Sequence, residues 1–490
     1  VSNVALVVFA VALGYLMLWR VRRTLGAAGI ALASYPIGLL GITLVAGMHA
    51  VLGSRWNLFS LAVASLAVAA IVSAALGRIR SSAEKPLRVP VWTAALTAAI
   101  AATGAGIIAA LQRFFVTADS WANYIPMGMR LHDAGAFFPR LMEERSPLIP
   151  AMNAAGRVFG ADVLYAAYPV MGVWLVAILL WAVVGRSTDP APRARWISAV
   201  AAAAGLALSA MFAVQSFYIH SHMVSALFLL FALACFAQAQ RDASAIWAAV
   251  GGLATAGFAL ARPDGFAYAA MMLLIGVIAT GRGEAWRKRV APMFAGFWGP
   301  VAFIYGVAFA QLGLWDTAKL NGKLALVLLA SLAVETVAAW VLLSALRTRR
   351  DSFLRRAPAL AVGAATVVVS LAVLVRTDDF LAALKPMIGN LFRSGGHGVQ
   401  WYVAAVVLLL AMVAPRLLKH AETDWLAPTM LVLFMGIAIL VHGLTHPGHL
   451  GWTDSFNRIA FHATPLVWWA FGNLMACAML ESGGHHSHQG

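Results

Sequence analysis

Charge is scarce in this 490-residue chain: 11% of its residues are Asp, Glu, Lys or Arg, and the 19 acidic residues are outnumbered by 35 basic ones. A soluble domain carries about 25% charged and about 45–50% apolar residues. At 62% hydrophobic the chain has too little polar surface to cover a water-facing globule, which excludes that class and leaves an integral membrane protein. Cysteine is nearly absent, and a disulfide scaffold is excluded with it. Cys235 and Cys477 lie in apolar segments and read as small buried hydrophobes. The 42 glycines follow no three-residue period, so a collagen-like chain is excluded too. The formal net charge of +16 would suggest nucleic acid in a soluble protein. Here the basic residues fall between apolar runs, and no nucleic-acid partner is expected.

What is abundant is the long apolar run. A hydrocarbon core about 30 Å thick needs about 20 apolar residues per helix, and such runs recur along the whole chain. They predict an all-α polytopic membrane protein with about fifteen transmembrane helices. The expected spans are 3–19, 26–52, 57–77, 90–111, 164–184, 197–216, 222–238, 245–261, 266–280, 291–313, 324–345, 358–375, 400–414, 426–443 and 459–480. Most basic residues sit in the short connections after odd-numbered spans, such as 20–23, 78–88, 282–289 and 347–356. Retained positive charge marks the cytoplasmic side, so a cell-membrane protein with its N-terminus outside and its C-terminus cytoplasmic is expected. Three stretches then face outward and are too polar to be mere connectors: 112–163, 376–399 and 444–458.

The first of these is the longest, and a loop of that length in a compact bundle is usually functional. A helix is expected from Asp119, a suitable N-cap, to Asp133, with Gly135 as its stop. On an amphipathic interfacial helix, Trp121, Ile125, Met129 and Leu131 would meet the membrane surface, with Asn123, Arg130 and Asp133 turned to water. A second surface helix is expected after the proline-containing turn Ser146-Pro147-Leu148-Ile149-Pro150.

The order of these features resembles the first outer loop of GT-C fold glycosyltransferases. A span leads to an acidic residue, an aromatic-containing helix ends at Gly135, a Pro-x-x-Pro turn follows, and Phe159-Gly160 closes the loop. Arg262-Pro263-Asp264-Gly265 is similar to the Arg-Pro-acid-Gly turn of that superfamily, and Ser455-Phe456-Asn457-Arg458 with His462 and Pro465 to its late span start. The resemblance covers roughly 90 to 480 and organises the chain. Residues 1–89 would hold three additional spans, 90–320 the GT-C-like module, 321–480 the C-terminal spans and 481–490 a cytoplasmic tail.

The resemblance implies sugar transfer from a polyprenyl-phosphate donor to a cell-envelope glycan, lipid or protein acceptor on the outer face. It makes Asp119 the catalytic base. That transfer needs a carboxylate to deprotonate the acceptor and cations to hold the leaving phosphate. Substrate-binding candidates are Tyr124, Arg130, Asp133, Glu144, Arg145, Arg262, Asn457, Arg458 and His462. No metal ligand or cofactor is assigned. A divalent cation stays open, although Ser120, standing where a second acid often follows, speaks against metal use at that position. Membrane lipids are the remaining expected partners. His220 and His222, at an outer turn, read as solvated interfacial histidines before a metal pair. Two other classes compete: a transporter or flippase of a lipid-linked precursor, which would place polar groups at mid-membrane, and a non-catalytic scaffold subunit.

Overall fold

A computed structural model describes residues 2–79, 123–138, 141–142, 146–185, 192–218, 220–262, 264–280, 286–312, 334–335, 337–338, 341, 350–413, 424–445, 450–451 and 454–484. The expected span 90–111, most of 324–345, and the candidates Asp119, Glu144 and Arg145 lie outside the described residues. The described chain is all-helical, without strands. In order its helices are α1 (Ser2–Met17), α2 (Arg22–Leu52), α3 (Leu58–Gly77), α4 (Ile125–Ala134), α5 (Leu148–Val158), α6 (Ala167–Val184), α7 (Pro192–Ala207), α8 (Ala210–Ser216) and α9 (Ser221–Arg241). There follow α10 (Ala245–Ala261), α11 (Gly265–Thr280), α12 (Trp286–Leu312), α13 (Arg350–Val375), α14 (Thr377–Gly389), α15 (Gln400–Val413), α16 (Leu426–Thr445) and α17 (Ser455–Gly484).

Among the described residues eight helices are long and apolar enough to cross a membrane, or nine if one bent pair is a single span. The helices α1, α10, α11 and α15 fall on expected spans but, at 17 residues or fewer, are short for a full crossing. A 16-residue helix is about 24 Å long, less than the hydrocarbon core. The expected span 197–216 is the bent pair: Arg193–Ala207 and Ala210–Ser216 meet at 70°. Its break has a local cause. The Ser209 hydroxyl accepts from the Phe212 N–H at 3.3 Å, capping a new helix, and the Met211 N–H donates to the Gly396 carbonyl at 2.9 Å.

The chain divides into two compact units, Val1–Trp174 with Gln215–Val341, and Leu175–Val214 with Leu342–Gly490. In the first, α9 and α10 are the centre. Every residue of α10 is buried, as is all of α9 but its last. A helix apolar all round belongs in such a position. The helices α2, α11 and α12 pack around this pair, and α1 and α3 pack on α2. In the second unit α17 packs on α7, α15 and α16, and α13 packs on α16. The outer face of α13 leaves Val367, Val368, Leu371 and Leu374 exposed, an apolar surface suited to lipid.

The helix expected over 119–133 begins, within the described residues, at Ile125 and ends where expected. Gly135 adopts φ 61° and its N–H caps the Leu131 carbonyl. Its apolar stripe does not face lipid throughout. Ile125, Met127, Gly128 and Leu131 are buried, and α4 packs against α5. Asn123, expected in water, is buried as well. Met129, Arg130 and Asp133 stay exposed as expected.

Candidate functional site

In the first unit three helix ends converge: the start of α4, the start of α9 and the turn between α10 and α11. The turn places Arg262 in extended backbone just after α10, where a side chain can swing back over the helix end. Its guanidinium donates from Nε to Asp264 Oδ1 at 2.7 Å and from Nη2 to Oδ2 at 3.0 Å. The remaining nitrogen, Nη1, reaches Ser221 Oγ at 3.2 Å and His222 Nδ1 at 3.3 Å. The group is largely buried, with 11% side-chain exposure against 30% for Asp264. Burial alone would lower the Arg262 pKa; the Asp264 carboxylate more than offsets it, and the net shift is upward.

These contacts orient two imidazoles. Since Arg262 only donates, His222 Nδ1 accepts and its ring proton is assigned to Nε2. Ser221 Oγ, accepting from Arg262, lies 3.1 Å from His220 Nδ1 and can turn its own O–H there. The two rings stack at 4.3 Å and 3°. The Tyr124 ring stands edge-on to His220 at 5.1 Å and is 3% exposed. His220 and His222 are both buried, so the expectation of solvated interfacial histidines is corrected. They are held by Arg262 and by each other, a reason that the local sequence does not display.

Beside this cluster, Asn153 on α5 donates to the Ile149 carbonyl at 3.1 Å and to the Tyr124 carbonyl at 3.5 Å, tying the two loop helices together. Gln311 joins the same end of the unit, donating to the Ala50 carbonyl at 2.5 Å and accepting from the Phe137 N–H at 2.9 Å. Two candidates sit apart. Arg130 lies over the Phe138 ring at 4.4 Å, and Asp133 pairs with His132 at 2.8 Å with 67% of its side chain exposed.

The late candidates belong to the second unit. Asp454 caps α17, its Oδ2 accepting from the N–H groups of Phe456 at 3.0 Å and Asn457 at 3.3 Å. Asn457 is fully buried and donates to the Gly395 carbonyl at 2.8 Å. Arg458 follows on the half-buried side of the first turn. His462, one turn on, is buried with Phe434 edge-on at 5.8 Å. The segment 390–399 packs against this start of α17 through Gly395. Asn390 is buried and accepts from the Gly451 N–H at 2.7 Å, and His397 is buried against the edge of Trp401 at 5.7 Å. Burial lowers the His397 pKa to about 4, opposed in part by Asn457. Sequence reasoning had singled out neither Asp454 nor Asn390.

Among the described residues no group of three or more His, Cys, Asp or Glu side chains is placed to hold a metal ion. Both cysteines are buried and stand outside any disulfide, in keeping with small core hydrophobes. Comparison of the chain with family models, curated proteins and solved structures finds no match.

Proposed function

We propose that the protein is a membrane glycosyltransferase of GT-C-like architecture, using a polyprenyl-phosphate sugar on the outer face of the cell membrane. In this reading all fifteen apolar runs are spans, the shorter helices α1, α10, α11 and α15 included. Asp119 is the general base, and Arg458 is the cation for the donor phosphate. The observation that carries the reading is the cluster in which buried Tyr124, His220, Ser221 and His222 meet the part-buried pair Arg262 and Asp264. Polar groups gathered at the ends of apolar helices are costly unless used or paired. Here they lie beside the loop helices α4 and α5, on the side assigned to the outside, whereas a transporter would concentrate them at mid-membrane.

The cluster also refines the role of Arg262. A guanidinium binds phosphate through a fork of two parallel N–H bonds. That fork is engaged by Asp264, and Nη1 by Ser221 and His222, so Arg262 acts as a positioning residue for the two imidazoles.

The test is purified protein in liposomes with a polyprenyl-phosphate sugar and a lipid or glycan acceptor. Sugar transfer supports the reading. Movement of the donor across the bilayer without transfer would establish the flippase instead.

A further inference from the structure

Within the first unit, α2, α3, α10 and α12 enclose a second feature that the proposed reaction does not use. It is an apolar groove of about 640 Å³, lined by Leu44, Val72, Arg78, Ala295, Gly299 and Phe303 among others. Small-molecule and lipid sites fall at about 300–1,000 Å³. Three of its walls, α2, α3 and α12, are long and apolar enough to cross a membrane, where a groove between them would adjoin hydrocarbon. Along α12 the lining runs from Ala291 to Phe303. Twelve residues of helix rise about 18 Å, close to half the thickness of a hydrocarbon core and hence to one leaflet.

The ends of the groove differ in charge. Arg78 is its single charged lining residue, and no acidic side chain lines it among the described residues. The same end carries Arg287 and Lys288, exposed in the first turn of α12, and Arg20, packed beside Gly77. The far end, at Met48 and Phe303, is apolar. A chain-shaped apolar slot ending in three or four cations matches a lipid whose headgroup is an anion. We infer that the groove binds one hydrocarbon chain of an anionic phospholipid, with the headgroup phosphate at Arg78.

The inference stands apart from the glycosyltransferase reading, and its test uses no turnover. The full-length protein in detergent is given equal amounts of phosphatidylglycerol and phosphatidylcholine, and retained lipid is counted by native mass spectrometry. One phosphatidylglycerol is expected to persist in preference to phosphatidylcholine. Losing one cation near a headgroup should lower that preference about fivefold in Arg78→Ala. A side chain at Gly299 would project into open space, so Gly299→Leu should fill the groove and abolish retention without changing the melting temperature. Ala295→Leu, from the same wall, is the second plug should Gly299→Leu fail to fold. Equal retention of both lipids, or undiminished retention in a folded plug variant, would overturn the inference. So would a disulfide from Gly299→Cys to a cysteine placed along 90–111, or to a second copy of the chain, since either would show another occupant.

Discussion

Arg262 and Asp264, two residues apart, face each other through two parallel hydrogen bonds of 2.7 and 3.0 Å, and the one guanidinium nitrogen left over holds Ser221 and His222. The pair therefore fixes the start of α9 against the end of α10. Removing one partner of a buried pair leaves an uncompensated charge, at a cost of about 3–5 kcal/mol. Asp264 retains 30% exposure, so solvent screening reduces the expected loss for Asp264→Asn to about 2 kcal/mol. Arg262→Lys should be nearly as unstable, because a lysine cannot form the fork. Thermal unfolding of the purified variants checks both; midpoints equal to wild type would show the pair to be idle.

The Gly395 carbonyl accepts from buried Asn457, and a Cβ at Gly395 would lie 2.2 Å from Asn457 Oδ1 and 2.3 Å from the Asn390 carbonyl. Gly395→Ala should therefore push Asn457 off its bond and destabilise the second unit by about 1–3 kcal/mol. Asn457→Ala, which loses the bond without the clash, should cost about 1–3 kcal/mol through the unsatisfied carbonyl. Because both act on one contact, the double variant should cost less than the sum. Strict additivity in unfolding measurements would contradict the coupling.

His397 supplies a pH dependence with a definite sign. Its pKa is lowered by burial from 6.5 to about 4, so between these values the unfolded chain binds a proton that the folded chain does not. Stability contributed by the neutral ring is complete above pH 6.5 and is lost as pH falls toward about 4, by about 3 kcal/mol in all. His397→Gln should flatten the pH profile of unfolding in that window relative to wild type. Superimposable profiles would rule out the buried neutral ring.

Orientation is testable without activity. With the amino terminus outside, a single cysteine at Ser120 should react with a membrane-impermeant maleimide on intact cells, and one at Ser352 only after the membrane is opened. Equal labelling from outside would reverse the assignment.

Much of the helical framework was legible because long apolar runs carry their own boundaries. The helix α10 spans Ala245–Ala261 as expected, with Ser244 capping it through the Trp247 N–H and the extended backbone of Arg262 closing it. Gly135 likewise marks a true helix stop. Hydropathy could not reveal the bend at 208–209, since the residues on both sides are equally apolar and the break is set by Ser209 and by a bond to Gly396, far along the chain. The Arg-Pro-acid-Gly turn was visible, but not that its acid would take the fork of its own arginine. The stacking of His220 on His222 had no local signal beyond the spacing, because their burial depends on Tyr124 and Arg262. Asn457 and Gly395, 62 residues apart, meet through tertiary packing alone.

In the proposed reaction Asp119 takes the acceptor's proton during sugar transfer, and turnover of a polyprenyl-phosphate sugar by purified wild type and Asp119→Asn tests that role. Asparagine keeps the shape and any capping bond, and an Asn cap is about as good as an Asp cap, so melting temperature and yield should be unchanged. Loss of acid–base help should reduce the rate roughly 10²–10⁴-fold. Wild-type transfer with that collapse in a folded variant is the predicted result; a variant that retains most of the wild-type rate would contradict it.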